Sequence, residues 1–221
     1  MSLCNKYSTF LVLIMLSIHI NGQSKKKQLK NLYQSIDKRI TEKDLEGIED
    51  SIDSLRFLSI KNKDTLHQFF SRTILANLHY NRKKFNLAEA LLKENKAELK
   101  SIKPSSLKDS LLINNYSVFG HFYYRKSDYP NAVENYIEQL KISKKTNDSI
   151  AARSAHNYLG MISVHQRSYN DAIKQFEEAL KYATTKFSKH DLYGNIGTAY
   201  FYSKDYKPNY RIMYFKLKLF K

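Results

Sequence analysis

The chain is expected to fold as an all-α solenoid of antiparallel helix pairs, and three observations lead there. An aromatic residue followed three positions later by alanine, and seven positions later by a large apolar residue, occurs at Phe85, Ala88 and Leu92, at Tyr129, Ala132 and Tyr136, and at Tyr169, Ala172 and Phe176. The alanines are 44 and 40 residues apart, and self-similarity at a period of roughly 20–50 residues marks a stacked array. The segments between turn-like stretches carry apolar residues at three-four spacing, the pattern of a helix with one buried stripe. Six glycines and three prolines in 221 residues are too few for the many turns of a sandwich or barrel.

Residues 1–22 read as a secretory signal peptide. Lys6 supplies the positive start, residues 10–20 an apolar run broken only by Ser17 and His19, and Gly22 a small residue for cleavage. The run is shorter than the roughly 20 residues a membrane span needs, so contact with a membrane is expected only through this signal or as an uncleaved anchor. The single cysteine, Cys4, lies inside it, which leaves the rest of the chain without thiol or disulfide chemistry.

Residues 23–64 are expected to form an N-terminal helix pair, a possible diverged repeat, with helices over 29–40 and 44–59. Leu45, Ile48, Ile52, Leu55 and Leu58 share one helical face. Residues 65–206 hold the repeats. Asp64, Asp109, Asp148 and Asp191 each follow a polar stretch and are expected to cap the next helix through the carboxylate. Short polar turns at 81–84, 125–128 and 166–168 separate first from second helices, and Pro130 falls where a helix tolerates a missing N–H. The clearest second helix starts at Tyr169, with Ala172, Ile173, Phe176, Ala179, Leu180 and Ala183 on its apolar stripe. Ala76, Gly120 and Gly160 each lie twelve residues before the repeat alanine. Glycine costs about 1 kcal/mol in a helix interior, so its recurrence at this place implies two helices crossing with little room. Residues 207–221 are an atypical C-terminal helix or a truncated repeat, apolar and basic where a solenoid end is ordinarily polar.

The pattern resembles that of the tetratricopeptide repeat family, of the exported bacterial kind. Leu159, Gly160, Tyr169, Ala172, Phe176 and Ala179 fall at family spacing; Phe119, Gly120, Tyr123, Tyr129, Ala132 and Tyr136 match in the preceding repeat; Leu75, Ala76, Phe85, Ala88 and Leu92 match more loosely. A fourth copy begins at Ile196, Gly197, Tyr200 and Tyr206 and then departs. The period exceeds the family's 34 residues, which requires longer helices or longer joints.

The resemblance implies a right-handed superhelix whose first helices line a groove for an extended peptide or a partner helix. By phase, that groove takes Thr73, Asn77 and Tyr80, then Ser117, His121 and Tyr124, then Asn157, Met161 and Val164, then Thr198 and Phe201. Asn77 matches the asparagine with which some family members clamp a peptide carboxylate. Thr73, Ser117, Asn157 and Gly194 replace the clamp lysine, so carboxylate capture is not expected.

No catalytic constellation is present. The seven histidines form no paired metal motif, and there is no glycine-rich phosphate loop and no nucleophile elbow. Neither cofactor nor metal is expected, and the chain is expected not to be an enzyme. A net charge of +16 admits nucleic acid as a partner, but most lysines sit singly on polar helix faces and export removes nucleic acid from reach, so none is expected. The expected function is a protein- or peptide-binding scaffold in the periplasm or cell envelope. The competing expectation is the truncated sensor region of a membrane histidine kinase or helix-turn-helix regulator carrying such repeats outside the cytoplasm.

Overall fold

The computed structural model describes residues 23–40 and 42–203. The expected signal sequence with Cys4, the expected repeat position Tyr206 and the 207–221 tail lie outside the described residues. Every regular element among those described is helical: α1 (residues 23–40), α2 (Ile48–Lys61), α3 (Thr65–Asn81), α4 (Phe85–Ser101), α5 (Ser106–Arg125), α6 (Tyr129–Thr146), α7 (Ser149–His165), α8 (Tyr169–Lys181) and α9 (Lys186–Ser203). The all-α solenoid of consecutive helix pairs expected from the sequence is the observed fold.

By internal contact the chain divides into two compact units, one ending at Asn95 and one beginning at Lys96. In the first, α2 packs on α3, and α1 buries Leu29 and Ile36 while its Tyr33 ring meets His67 and Phe70 of α3. In the second, α5 packs on α6, α6 on α7, α7 on α8 and α8 on α9, with lighter contacts from α5 to α7 and from α7 to α9. Those lighter contacts set the first helices of successive pairs beside one another.

The repeat residues are the core. Ala88, Ala132 and Ala172 are fully buried, as are Leu92, Tyr136 and Phe176. Ala132 clusters with Ala155 and Ile162 of α7, and Ala172 with Leu192 and Ile196 of α9, so at these two the next helix passes where a larger side chain would stand. The glycines have a sharper reason than a close crossing of two backbones. A Cβ on Gly120 would lie 2.6 Å from Cε1 of Tyr136, and one on Gly160 would lie 2.5 Å from Cε1 of Phe176. Each second helix seats an aromatic ring directly on the glycine of its first helix. Around Phe176 the core gathers Ala172, Ile173, Ala179, Leu192, Ile196 and Ala199; around Tyr136 it gathers Ala132, Ala155 and Ile162.

Six of the joints between helices share one geometry. Lys43, Lys63, Lys83, Ser127, Asn147 and Arg167 all have φ between 51° and 61°, and the residue after each donates its N–H to a carbonyl five residues back, as Asp148 does to Ser143 at 2.9 Å and Ser168 to Ser163 at 2.8 Å. This is the bonding by which a left-handed residue closes a helix end. The left-handed residues at 43, 63 and 83 are 20 apart, as are those at 127, 147 and 167. Most of the extra length of the repeat lies in the helices: α3 and α7 have 17 residues each, α6 has 18 and α5 has 20, and the longer spacing also includes the joint at 102–105.

Asp64 and Asp148 cap α3 and α7 as expected, accepting from the N–H groups of His67 and Ala151, and Pro130 occupies the first turn of α6. Asp109 and Asp191 do not cap. Ser105 caps α5 by accepting from Lys108 N, and α9 opens on a reciprocal pair in which Ser188 N donates to Thr185 Oγ1 and Thr185 N to Ser188 Oγ, a capping box with serine at its third helical position. In both cases the helix starts earlier than its aspartate. Leu45 stands outside α2, because Gly47 in the left-handed region starts that helix after it.

Candidate functional site

Three of the residues expected to line a groove, Thr73, Asn77 and Tyr80, belong to the first unit. Asn77 is exposed on α3. Tyr80 is half-buried, its ring 5.1 Å from that of Phe85 across the α3–α4 turn. Thr73 is buried rather than open. Its hydroxyl donates to the Phe69 carbonyl at 3.0 Å and accepts from Asn95 Nδ2 at 3.0 Å, while Asn95 Oδ1 accepts from Arg72 Nε at 2.6 Å. Burial pushes the Arg72 pKa down. This polar cluster ties α3 to α4 and is structural.

The other eight lie in the second unit. Tyr124, at the C-terminal end of α5, has its hydroxyl 2.9 Å from Nε2 of His165 at the end of α7, and Tyr129 stacks on the same imidazole at 5.5 Å. Tyr158 of α7 is the hub behind them. It lies flat against the buried Tyr136, 5.1 Å away and 6° from parallel, and takes His121 edge-on at 4.2 Å and Tyr124 edge-on at 5.7 Å. His121 thus belongs to the packing more than to an open face. Burial, helped by the Arg125 charge, holds its pKa below the ordinary histidine value. Burial also raises the Tyr124, Tyr136 and Tyr158 phenols, so all three stay neutral.

Farther along, Asn157 of α7 accepts from Asn195 Nδ2 of α9 at 2.9 Å, and its own amide nitrogen lies 3.8 Å from Met161 Sδ. Met161 and Val164 pack on the Phe176 cluster. Thr198 is exposed and donates to the Gly194 carbonyl of its own helix, and Phe201 is exposed nearby. Ser117 is half-buried and, with Gln139 of α6, lines a cavity of about 360 Å³ between α5, α6 and α7.

The structure therefore joins His121 to Tyr124 through Tyr158, and Asn157 to Met161, and bridges first helices by Tyr124–His165 and Asn157–Asn195. It does not join Ser117 or Thr198 to these. Tyr158, His165, Asn195 and Gln139 were not singled out in the sequence. His165 carried a signal, since it closes a first helix one turn beyond Met161; Gln139 carried none, because it comes from a second helix.

His156 is buried with Nδ1 2.8 Å from Gln175 Oε1, and burial lowers its pKa. Among the described residues no group of three or more His, Cys, Asp or Glu is placed to hold a metal ion, and no helix is long and apolar enough to cross a membrane.

No family model and no curated protein sequence matches the chain. Among solved structures it is similar to the crystal structure of BtubC (BKLC) from P. vanneervenii, with 20% sequence identity and a TM-score of 0.65 over 89% of this chain and 73% of that one. A likeness at this identity carries the fold alone, and it places the chain among helical-repeat folds.

Proposed function

We propose that the chain is a non-catalytic scaffold of tetratricopeptide-like repeats that holds a protein or peptide partner in the cell envelope after export. The observation that carries the reading is the alignment of α5, α7 and α9. These first helices lie in sequence beside one another and are bridged by Tyr124–His165 and Asn157–Asn195. Polar and aromatic side chains set on a rigid helical array suit amide contacts and ring packing with an extended chain. The seating of Tyr136 on Gly120 and of Phe176 on Gly160 supports the family assignment, because it gives the repeat pattern a steric cause.

The test is crosslinking and capture from an envelope extract with three proteins: the natural chain, an Asn157→Arg/Thr198→Arg variant that crowds the first-helix face, and Lys174→Glu on the exposed side of α8. A discrete partner held by the natural chain and by Lys174→Glu, and lost from the crowded variant, is the expected result. Equal capture by all three, or capture that follows charge alone, overturns the reading.

A further inference from the structure

The first helices of the second unit repeat one feature at their starts. Leu107, Ile150 and Phe187 are the second residues of α5, α7 and α9. All three are exposed, Ile150 at 73% and Phe187 at 77%. Ile150 and Phe187 lie ten residues before Gly160 and Gly197, and Leu107 lies thirteen before Gly120, one turn farther along the same face. Because α7 meets both α5 and α9, the three side chains form a row along the edge where second helices hand over to first helices. Single exposed apolar residues are ordinary on a protein surface, but recurrence at one place in three helices is not. Helix capping does not ask for them. Ser105, Asp148 and Thr185 supply the caps, and a hydrophobic staple would use the residues before the cap and at the fourth position. The same edge is basic. Residues 98–110, 143–153 and 178–190 hold nine lysines and arginines and four carboxylates. Three of the four are engaged within the protein: Asp109 with Lys145, Glu178 with Lys181, and Asp148 with the Ala151 N–H. Lys103, Lys144 and Lys186 are exposed. At the opposite edge the turns at 125–128 and 166–168 are basic too, but they present no exposed large apolar side chain.

We infer that this edge rests on a membrane surface rich in anionic phospholipid, with Leu107, Ile150 and Phe187 entering the headgroup layer and Lys103, Lys144 and Lys186 at the phosphates. The arrangement suits lipid better than protein. Apolar tips set apart by a helix spacing of roughly 8–10 Å, among strongly hydrated ammonium groups, do not make the contiguous, lysine-poor centre of a protein interface. At a bilayer each tip enters the acyl boundary on its own, while the lysines keep their charged heads at the headgroups. The contact uses neither residues 1–22 nor the groove residues Asn157, Met161 and Thr198, so it stands apart from the peptide-binding reading.

The experiment uses the full chain with vesicles of phosphatidylcholine alone or mixed with phosphatidylglycerol. Co-sedimentation gives the partition coefficient, and a polarity-sensitive dye reports insertion at one residue. The dye is carried by Ile150→Cys, or by Ile137→Cys on the exposed side of α6 as control, each in a Cys4→Ser background. Phosphatidylglycerol is expected to raise partitioning and to shift the Ile150→Cys dye to the blue, with the Ile137→Cys dye unmoved. A basic residue beside an anionic surface contributes roughly fivefold in affinity. Lys103→Glu/Lys144→Glu/Lys186→Glu is therefore expected to lower partitioning at least tenfold, and Leu107→Ser/Ile150→Ser/Phe187→Ser to lower it and to weaken its dependence on vesicle composition least at low salt. All six positions are exposed, so folding survives, and the dye reads the edge without any of these changes. Sedimentation with vesicles while the Ile150→Cys dye stays unmoved would place the contact elsewhere in the chain and overturn the inference. So would equal partitioning of the natural chain and both triple variants, or equal binding to the two kinds of vesicle. A dye shift produced by poly-glutamate and not by vesicles would assign the edge to an acidic polypeptide instead.

Discussion

Two alanine substitutions of identical chemistry are expected to have opposite effects. Gly160 in α7 and Gly194 in α9 both lie inside helices, so Gly→Ala brings the same gain of about 1 kcal/mol in helix propensity at each. At Gly194 an added Cβ meets nothing within 4 Å, and the gain stands alone. At Gly160 the Cβ would stand 2.5, 2.7 and 2.9 Å from three ring carbons of Phe176. That ring is 1% exposed and enclosed by Ala172, Leu192 and Ile196, so it has nowhere to retreat. Overpacking of this kind costs about 1–3 kcal/mol. Because the propensity gain is common to both, the difference between the two variants isolates the steric cost of about 1–3 kcal/mol. Urea denaturation followed by far-ultraviolet circular dichroism measures it. Adding Phe176→Leu to Gly160→Ala should recover part of the loss, a coupling that a double-mutant cycle reads directly. If Gly160→Ala stabilises as much as Gly194→Ala, the ring is not seated on Gly160 and the account of the repeat glycines is wrong.

Other outcomes follow from the same structure. The pKa values of His121 and His156 are lowered by burial from the ordinary 6.5, so the unfolded chain binds more protons in the interval. Their contribution to stability is complete above about pH 6.5 and is lost as the pH falls through that value; a series of urea midpoints from pH 8 to 5 should fall on its acid side, and less steeply for His156→Gln. Arg167→Gly, at a left-handed joint with φ 61°, should raise stability by up to about 1 kcal/mol, since only glycine adopts that conformation without steric cost; a lower urea midpoint would contradict it. Asn95→Ala removes the amide that bonds Arg72, Thr73 and Phe69 and should cost about 1–3 kcal/mol, read as a lower Tm.

The fold was legible because the repeat positions are chosen by space rather than by propensity. Ala132, Ala172, Gly120 and Gly160 are small where something large must pass, and smallness at a fixed period survives divergence elsewhere. The ring that sits on each glycine was visible as Tyr136 and Phe176, but the pairing of ring with glycine was not, because it depends on how the two helices rotate against each other. Caps were half legible: aspartate announces itself, whereas Ser105 and the Thr185–Ser188 pair resemble ordinary loop residues. Thr73 shows why the candidate site was less so. Carrying a face from repeat to repeat by phase assumes equal rotation of every first helix, and α3 instead turns Thr73 inward toward Asn95. Gln139 was beyond reach for another reason: it enters the cavity from α6, which phase along the first helices never consults.

The left-handed joints bear on how the chain folds as well as on its final shape. Each closes with hydrogen bonds that span five residues, and each couples helices that are neighbours in sequence. Little loop entropy has to be lost before such contacts form. A pair such as α5 with α6, or α7 with α8, is thus a sufficient starting point, and growth proceeds outward from whichever pair forms first. Proteins dominated by such near-sequence contacts fold in microseconds to milliseconds. A chain built in this way can bury each ring on its glycine as soon as that helix pair has formed, before its neighbours are in place.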